Sequence, residues 1–293
     1  MTAQEDDDNY LGQFIPLQYH LAMLKDKNRM QSFKAAIDYA VAPGSKVLEL
    51  GGGTGVLSWF AAAKADKVWC VEFNPDLVNV SRRILEKNHN GHKVEVVQAN
   101  AFDYLPPEPV DVMICEMIHV AMLREKQVEV VESFKHRYQQ RFGATLPLLM
   151  PTAAILAVQP LQQEFIFEGY YAPISMVQDF GDQEGCIELA EPLVYSVLDF
   201  TQHTERDISW EGFFIITENG TVSALRFITK NVLAILEEEK STIDWLNRYM
   251  ALPLASPVRV QSGDTLRVAF SYRTGGSILS LQNALQAEVV TNG

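Results

Sequence analysis

Apolar positions recur at two different spacings in the first half of the chain. Between residues 17 and 41 they fall mostly three or four apart, which predicts helix, with a break into two helices at 25–29. Farther on, short apolar runs predict strands at 46–50, 68–72, 93–97, 111–116 and 153–159. Helices are predicted between them, at about 56–65, 75–90 and 123–142. Such alternation indicates βαβ units around a parallel sheet, an α/β fold of the Rossmann-like kind.

The pattern changes after Pro160. Strand-like runs now follow one another with only turns between them, at 165–167, 196–200, 212–217, 221–229 and 266–272. Long helical patterns are scarce, so we predict an antiparallel β domain, a sandwich or a barrel. The expected organisation is a helical segment at 1–42, a Rossmann-like domain at 43–159 and a β-barrel-like domain at 160–293.

Composition narrows the possible partners. The chain has 293 residues, of which 47% are hydrophobic and 21% charged, an ordinary globular balance. Its formal net charge is −13. This argues against a nucleic-acid partner, whose phosphates are neutralised by Lys and Arg. An acidic field attracts cationic substrates, although it also serves solubility alone.

The chain shows no membrane, secretion or metal signal. No run of about 18 apolar residues is present, so we expect no transmembrane helix. The first ten residues are acidic and lack the features of a signal peptide. The cysteines are few and scattered, at 70, 115 and 186, which predicts neither a disulfide framework nor a metal cluster. We therefore expect a cytoplasmic protein without a metal.

The segment VLELGGGTGVL (47–57) carries the strongest motif. Glycines in a strand-to-helix turn let the backbone approach a ligand closely and adopt positive φ. Dinucleotide-binding proteins require G-x-G-x-x-G, and here Val56 occupies the third position. Gly51, Gly53 and Gly55 instead form G-x-G-x-G. A tight turn without a ligand is the alternative.

Two other strand ends are candidates for the same ligand. Glu72 ends the second predicted strand, about 20 residues beyond the glycine turn, where an acidic residue can bind ribose hydroxyls. Taken alone, Glu72 is more typical of a solvated carboxylate at a strand end, but together with the glycine turn it favours the ribose role. Asn100 and Phe102 follow the third predicted strand and are candidates for amide and stacking contacts to a base.

These motifs resemble those of class I S-adenosylmethionine (SAM) methyltransferases, and more specifically the protein arginine methyltransferases. The stretch DNYLGQF…YHLAMLKDKNRM (8–30) is similar to the segment that precedes the SAM domain in that family. The resemblance implies that Arg29 pairs with the SAM carboxylate and that His20 helps to close the cofactor site. It implies that Tyr10 and Met23 line the acceptor site.

The resemblance extends to an acceptor motif after the fourth strand, CEMIHVAMLRE (115–125). The family has two glutamates nine positions apart, and Glu116 and Glu125 reproduce that spacing. A planar guanidinium with parallel N–H donors would relieve the repulsion between two such carboxylates. His119 stands where the family usually has Gly. An exposed helical glutamate is the alternative for Glu125.

The C-terminal half is similar more loosely. Residues 191–194 read E-P-L-V as in the family barrel, and Trp245 matches a family Trp, while Asp244 replaces the preceding His. That His borders the acceptor site in the family. The length between residues 157 and 194 matches a segment that includes a dimerisation arm. We therefore expect a homodimer formed by the aromatic segment that contains Phe165, Phe167, Tyr170 and Tyr171.

The sequence leaves three functions open. The first is SAM-dependent methylation of an arginine guanidinium in a protein or peptide, with Glu116 and Glu125 as catalytic residues. The second is methylation of free arginine or another small guanidino metabolite. The third is a non-catalytic SAM-binding scaffold, against which the presence of both glutamates argues.

Overall fold

The computed structural model describes residue 15, residues 17–181 and residues 183–290. Its helices are α1 (Leu17–Lys25), α2 (Lys27–Ala40), α3 (Val56–Ala62), α4 (Pro75–Leu85), α5 (Gln127–Phe142) and α6 (Ile278–Ala284). Asp26 separates α1 from α2 and caps the second helix, because its carboxylate accepts a hydrogen bond from the backbone N–H of Arg29. The predicted break between the two N-terminal helices is confirmed.

The first half of the chain forms a five-stranded parallel sheet. Its strands are β1 (Lys46–Leu50), β2 (Lys67–Glu72), β3 (Val94–Gln98), β4 (Val112–Cys115) and β5 (Leu148–Met150). They lie in the order β3-β2-β1-β4-β5, and every pairing is parallel. The order reverses between β1 and β4, which is where ligands bind in open α/β sheets, outside the carboxyl ends of the strands. The Rossmann-like prediction is confirmed.

The second half is antiparallel. A seven-stranded sheet contains β6 (Ala153–Gln163), β9 (Met176–Gln178), β10 (Cys186–Glu188), β11 (Leu193–Asp199), β13 (Gly220–Leu236), β14 (Ser241–Leu246) and β15 (Tyr249–Val260). A three-stranded sheet contains β12 (Asp207–Ile215), β16 (Thr265–Arg273) and β17 (Gln286–Val289). A short hairpin pairs β7 (Ile166–Phe167) with β8 (Tyr170–Tyr171). This agrees with the predicted antiparallel β domain.

Two element predictions are wrong. Residues 153–159 are not a fifth parallel strand, because β6 pairs antiparallel with β10, β11 and β13. The parallel sheet ends instead with β5, so the antiparallel sheet begins earlier than residue 160. The helix predicted from residue 123 begins only at Gln127, and residues 116–126 form a loop with a short 3₁₀ turn at Val120–Met122.

The N-terminal helices join the two halves. Phe33 of α2 is fully buried, and its ring lies 5.6 Å from that of Trp245 in β14. The buried side chains of both sheets form one continuous apolar core. Helix α2 thus packs on the barrel while α1 reaches over the carboxyl edge of the parallel sheet. None of the helices described is both long enough and apolar enough to cross a membrane.

Candidate active site

A cavity of about 810 Å³ lies at the carboxyl ends of β1, β2 and β4. Its floor is the glycine turn after β1, and α1 and α2 form one wall. Residues of the antiparallel domain close the opposite side. The cavity has the size of ordinary ligand sites and lies at the point where the strand order reverses.

The glycine turn leaves no room for side chains. Gly51 and Gly53 have φ of 78° and 54°, a region that favours glycine. A Cβ at Gly51 would lie 2.7 Å from Cγ of Met117, and one at Gly53 would lie 2.9 Å from Cε1 of His20. The turn therefore presents bare backbone to the cavity, closely covered by two side chains.

Glu72 is fixed at the end of β2 by backbone donors. Its Oε2 accepts a hydrogen bond of 2.9 Å from the N–H of Gly53, and its Oε1 accepts one of 2.8 Å from the N–H of Asn74. An ionised carboxylate has about four acceptor positions, so two remain for a ligand. Glu72 lines the cavity with its carboxylate already oriented.

Arg29 lies in the cavity wall, only 7% exposed. It forms an ion pair with Glu116, the residue directly after β4. The guanidinium lies between two rings, 5.4 Å from the centroid of Phe33 and 5.8 Å from that of Trp245. Burial opposes its charge, but Glu116, Glu49 and Asp26 together outweigh burial, and the pKa of Arg29 is raised. Its buried Nε makes no hydrogen bond to the described residues.

His20 covers the glycine turn from α1. Its buried Nε2 has no hydrogen-bond partner among the described residues. Burial lowers the pKa of His20 against the opposing influence of Glu72. The imidazole is thus neutral at pH 7 and offers the cavity one unpaired nitrogen.

The loop between β4 and α5 is held from both ends. Gln127 receives a hydrogen bond from the N–H of Met117 and donates one to the carbonyl of Cys115. On the barrel side, the N–H of Ala121 donates to Oγ1 of Thr229 at 2.8 Å. Two consecutive glycines just after β16 also form backbone hydrogen bonds with this loop.

This loop carries unusual backbone conformations. Ala121, Met122 and Arg124 all have φ between 54° and 59°, although none is glycine. Each such residue costs free energy and persists only where its surroundings hold it. Backbone strain of this kind occurs preferentially at functional sites, and here it determines where Glu125 lies.

Glu116 and Glu125 both line the cavity and repel each other. Burial, followed by the negative charge of Glu116, raises the pKa of Glu125 to about 8, while Arg124 and Arg29 partly oppose the shift. A carboxyl group with this pKa gains from a cation placed beside it. A positively charged ligand group beside the two glutamates would therefore bind favourably in this cavity.

The chain is similar in sequence to known methyltransferases. Residues 47–138 match a methyltransferase domain family. An uncharacterized protein of Methanocaldococcus jannaschii is 26% identical over 90% of this chain and 95% of its own length. Protein arginine N-methyltransferase 2 of Xenopus tropicalis is 30% identical over 48% of this chain, and PRMT10 of Arabidopsis thaliana is 32% identical over 50%.

Solved structures share the fold along nearly the whole chain. The crystal structure of Arabidopsis thaliana protein arginine methyltransferase 10 superposes with a TM-score of 0.70, covering 90% of this chain and 89% of its own, at 19% identity. The PRMT1 enzyme–prozyme complex of Trypanosoma brucei superposes with a TM-score of 0.68, covering 92% and 96%, at 18% identity. The chain is a SAM-dependent, arginine methyltransferase-like enzyme. The matching sequence spans only 33% of PRMT2 and 39% of PRMT10. These matches therefore do not identify the acceptor of this chain.

Most of the predicted site residues of this methyltransferase meet in the one cavity. They are His20, Met23, Arg29, Gly51, Gly53, Glu72, Asn100, Glu116, His119, Glu125 and Trp245. Tyr10 lies outside the described residues. The individual roles assigned to these side chains remain predictions, but their proximity in space is observed.

Three predicted site residues do not line the cavity of the methyltransferase. Gly55 begins α3 with φ of 80°, and a Cβ there would lie 2.7 Å from Ser81 Oγ, so it provides packing between helices. Phe102 packs on the apolar core instead of stacking in the cavity. Asp244 forms an ion pair of 2.7 Å with Lys230.

Several residues of the site were not predicted from the sequence, among them Glu49, Asn247 and Arg248. Glu49 is 2% exposed beneath the glycine turn, where the N–H and hydroxyl of Ser58 donate to its carboxylate. Burial raises the pKa of Glu49 to about 7. A charged residue inside the apolar strand VLEL is a signal that could have identified it. Asn247 and Arg248 also line the cavity, and no sequence motif identifies them.

Proposed function

We propose that this enzyme transfers the SAM methyl group to a guanidinium nitrogen of arginine. The observation that carries the proposal is the arrangement of Glu116 and Glu125 at the cavity. Glu116 forms an ion pair with the guanidinium of Arg29, which supports a guanidinium as a suitable partner for this carboxylate. The raised pKa of Glu125 marks a second carboxyl group that a cation would stabilise in its ionised form.

The residues around the glycine turn fit SAM. Gly51 and Gly53 present backbone without side chains beneath Met117 and His20, and Glu72 has acceptor positions left for two ribose hydroxyls. His20 and Arg29 each carry a buried nitrogen without a hydrogen bond to the described residues. We assign the methionine carboxylate of SAM to Arg29, because a forked cationic donor suits a carboxylate.

The chemistry required of the protein is mainly positioning. SAM supplies an electrophilic methyl group on a positively charged sulfur. Glu116 and Glu125 would orient the acceptor and draw its positive charge towards two nitrogens, which leaves the third more nucleophilic. Holding the reacting atoms about 3–3.5 Å apart in a dry cavity accounts for much of such an acceleration.

The arginine that accepts the methyl group belongs either to a protein or peptide or to a small molecule. Similarity to arginine methyltransferases that are named for proteins favours a protein or peptide arginine. A free arginine or another small guanidino compound is the alternative. A scaffold that binds SAM without catalysis has no need of two buried carboxylates. Burying a carboxylate costs free energy, so their presence argues against a scaffold.

Mass spectrometry of products tests the proposal. Purified enzyme is incubated with isotope-labelled SAM and free arginine, arginine peptides or cell extract. The proposal expects label on guanidino nitrogens in at least one of these acceptors. Label only on lysine, hydroxyl or carbon acceptors would contradict it, and a lack of turnover together with tight SAM binding would favour the scaffold.

We also propose that the enzyme is a homodimer formed through the segment near residues 160–190. Four apolar side chains of the hairpin formed by β7 and β8 are exposed, namely Ile166 (54%), Phe167 (46%), Tyr170 (74%) and Tyr171 (61%). Phe165 is instead buried, so it belongs to the barrel and not to this surface. Exposed aromatic residues on a projecting hairpin are typical of an interface.

Light scattering with a surface control tests the dimer. The variant Tyr170→Asp with Tyr171→Asp should give a monomer, while the wild type gives a dimer at micromolar concentration. The matched control is Phe213→Asp, which changes a similarly exposed side chain on β12 (53%) and should leave the dimer intact. A wild-type monomer would overturn the proposal.

A further inference from the structure

The mouth of the cavity contains a pair of opposite charges. Asp179 follows β9 and Arg248 precedes β15, and Nη1 of Arg248 lies 3.5 Å from Oδ1 of Asp179. Both side chains line the cavity and are also exposed, by 75% and 58%. Because they both line the cavity and are exposed, they lie where the cavity opens to solvent.

Backbone pairing places these two charges opposite each other. Strand β9 pairs antiparallel with β15, and Gln178 is the partner of Tyr249. The next position of that register sets Asp179 against Arg248. The ring of Phe180 packs edge-on against Tyr249 at 5.2 Å, which supports the same turn.

A buried arginine anchors this strand. Arg226 in β13 is 3% exposed, and its Nε donates to Oε1 of Gln178 at 3.0 Å. The same guanidinium also binds Glu188 of β10 and Gln159 of β6. Asp179 thus follows a strand that is fixed by pairing with β15 and by the hydrogen bond between Arg226 and Gln178.

Asn247 adds a neutral donor beside Arg248. It is 7% exposed and lines the cavity. Its Oδ1 accepts a hydrogen bond of 2.7 Å from Nδ2 of Asn231. With the oxygen engaged in this way, Asn247 has its Nδ2 donor left for a ligand, next to the cationic Arg248.

We propose that Asp179, Asn247 and Arg248 recognise the α-ammonium and α-carboxylate groups of a free amino acid, so that the acceptor is free arginine or a close analogue. The inference rests on the proposed guanidinium methylation and names its substrate class. Free arginine carries three charged groups, and the cavity has a complement for each. The glutamates match the guanidinium, Arg248 and Asn247 match the carboxylate, and Asp179 matches the ammonium.

A peptide arginine would form weaker interactions than free arginine with the charged residues at the cavity mouth. An internal arginine residue has amides where the free amino acid has an ammonium and a carboxylate. It would meet Asp179 and Arg248 without a charge for either. Charge-assisted hydrogen bonds are roughly twice as strong as neutral ones, so the mouth favours the zwitterion.

Steady-state kinetics with matched acceptors test this inference. The acceptors are L-arginine, Nα-acetylarginine without the ammonium, argininamide without the carboxylate, and the peptide Gly-Arg-Gly. We expect kcat/KM for free arginine to exceed that for each of the other three by about tenfold or more, because a hydrogen bond to a charged group contributes about 1.5–3 kcal/mol.

Variants assign each charge to its group. Arg248→Gln should raise KM for arginine about tenfold and leave KM for argininamide nearly unchanged. Asp179→Asn should likewise raise KM for arginine about tenfold and leave KM for Nα-acetylarginine nearly unchanged. Arg259→Gln, a change of an exposed arginine at the far end of β15, is the control and should alter none of these values.

The outcomes separate this inference from the proposed function. If Gly-Arg-Gly is methylated as well as arginine, and the variants affect all acceptors equally, guanidinium methylation stands and the recognition of a free amino acid is wrong. If neither these guanidino compounds nor any protein arginine in cell extract is methylated, and calorimetry detects no binding of L-arginine, both are wrong. Binding of arginine that weakens about tenfold in Arg248→Gln supports the inference even without turnover.

Discussion

At the scale of single residues, the site is defined by which polar groups are paired and which are not. Glu72 is held by two backbone N–H groups, while His20 and Arg29 keep unpaired nitrogens at the cavity. Buried polar atoms without partners are costly in a folded protein, so they indicate a ligand that completes them. The glycine turn and these three side chains together account for the cofactor site.

Glu72 provides a direct test of that site. Glu72→Ala should weaken SAM binding about tenfold or more, because two ribose hydrogen bonds are lost and each contributes roughly 0.5–1.5 kcal/mol. Isothermal titration calorimetry measures the change. Glu95→Ala, an exposed glutamate on β3, serves as the control and should bind SAM like the wild type. Unchanged affinity in Glu72→Ala would place the ribose elsewhere.

The pKa of Glu125 predicts a pH-dependent stability. Burial and Glu116 raise it from 4.5 to about 8, so the folded protein favours the protonated form. The stabilisation is complete below the unfolded pKa and is lost as the pH rises through about 8. Glu125→Gln should therefore have a higher Tm than the wild type at pH 9, by a few degrees, since ~1 kcal/mol corresponds to about 2–4 °C in chains of this size.

At pH 4 the same two proteins should melt at closely similar temperatures, because both carry a neutral side chain at position 125. Differential scanning calorimetry of the ligand-free proteins at both pH values gives the comparison. A Tm difference that is the same at pH 4 and pH 9 would show that Glu125 is not held in its neutral form by the fold.

Asp244 and Phe102 show where residue-level prediction from sequence fails. Successive side chains of a strand point to opposite faces, so Trp245 and Asp244 in β14 cannot both face the cavity. The family resemblance identified the pair of positions, but only the folded strand decides which of them lines the site. Phe102 follows a turn that directs it into the core, and a sequence pattern contains no information about that direction.

At the scale of elements, the loop between β4 and α5 connects the two halves of the molecule. Its backbone is strained at three residues, and the barrel compensates through Thr229 and the backbone of Gly275 and Gly276. The position of Glu125 therefore depends on the barrel, although the glutamate belongs to the SAM domain. This explains why a methyltransferase domain alone would not form the complete site.

Thr229 tests this dependence. Thr229→Val keeps the shape but leaves the buried N–H of Ala121 without its acceptor, at a cost of about 1–3 kcal/mol. We expect kcat/KM to fall roughly 10- to 100-fold while SAM affinity is retained. Thr229→Ser keeps the hydroxyl and should stay close to the wild type. Equal activity of the Val and Ser variants would show that the barrel does not position the loop.

Prediction from sequence succeeded for elements with a clear period and failed where two structures share one pattern. The parallel strands β1 to β4 and the barrel strand β16 follow from short apolar runs. An apolar run such as 153–159 looks the same in a parallel sheet and in a barrel, and only strand pairing distinguishes them. The helix predicted from residue 123 begins only at Gln127, because contacts distant in sequence hold the backbone of residues 120–124 in a turn.

At the scale of the whole molecule, the acidic charge, the paired glutamates and the charged mouth all favour one kind of substrate. A net charge of −13 attracts cations from solution. In the function that we propose, a guanidinium would bind in the cavity beside the glycine turn that we assign to SAM. The fold is shared with arginine methyltransferases, and the proposed selectivity rests on residues of this chain.

The central claim is that Glu116 and Glu125 together bind a guanidinium, and single-turnover rates of Glu116→Gln and Glu125→Gln test it most directly. Each change keeps the shape and removes one negative charge, and breaking a buried ion pair costs about 3–5 kcal/mol. We predict that methyl transfer slows by a factor on the order of hundreds to thousands in each variant. Glu125→Gln should still bind SAM with wild-type affinity. Rates within about threefold of the wild type in both variants would contradict the claim and would place the acceptor outside guanidinium chemistry.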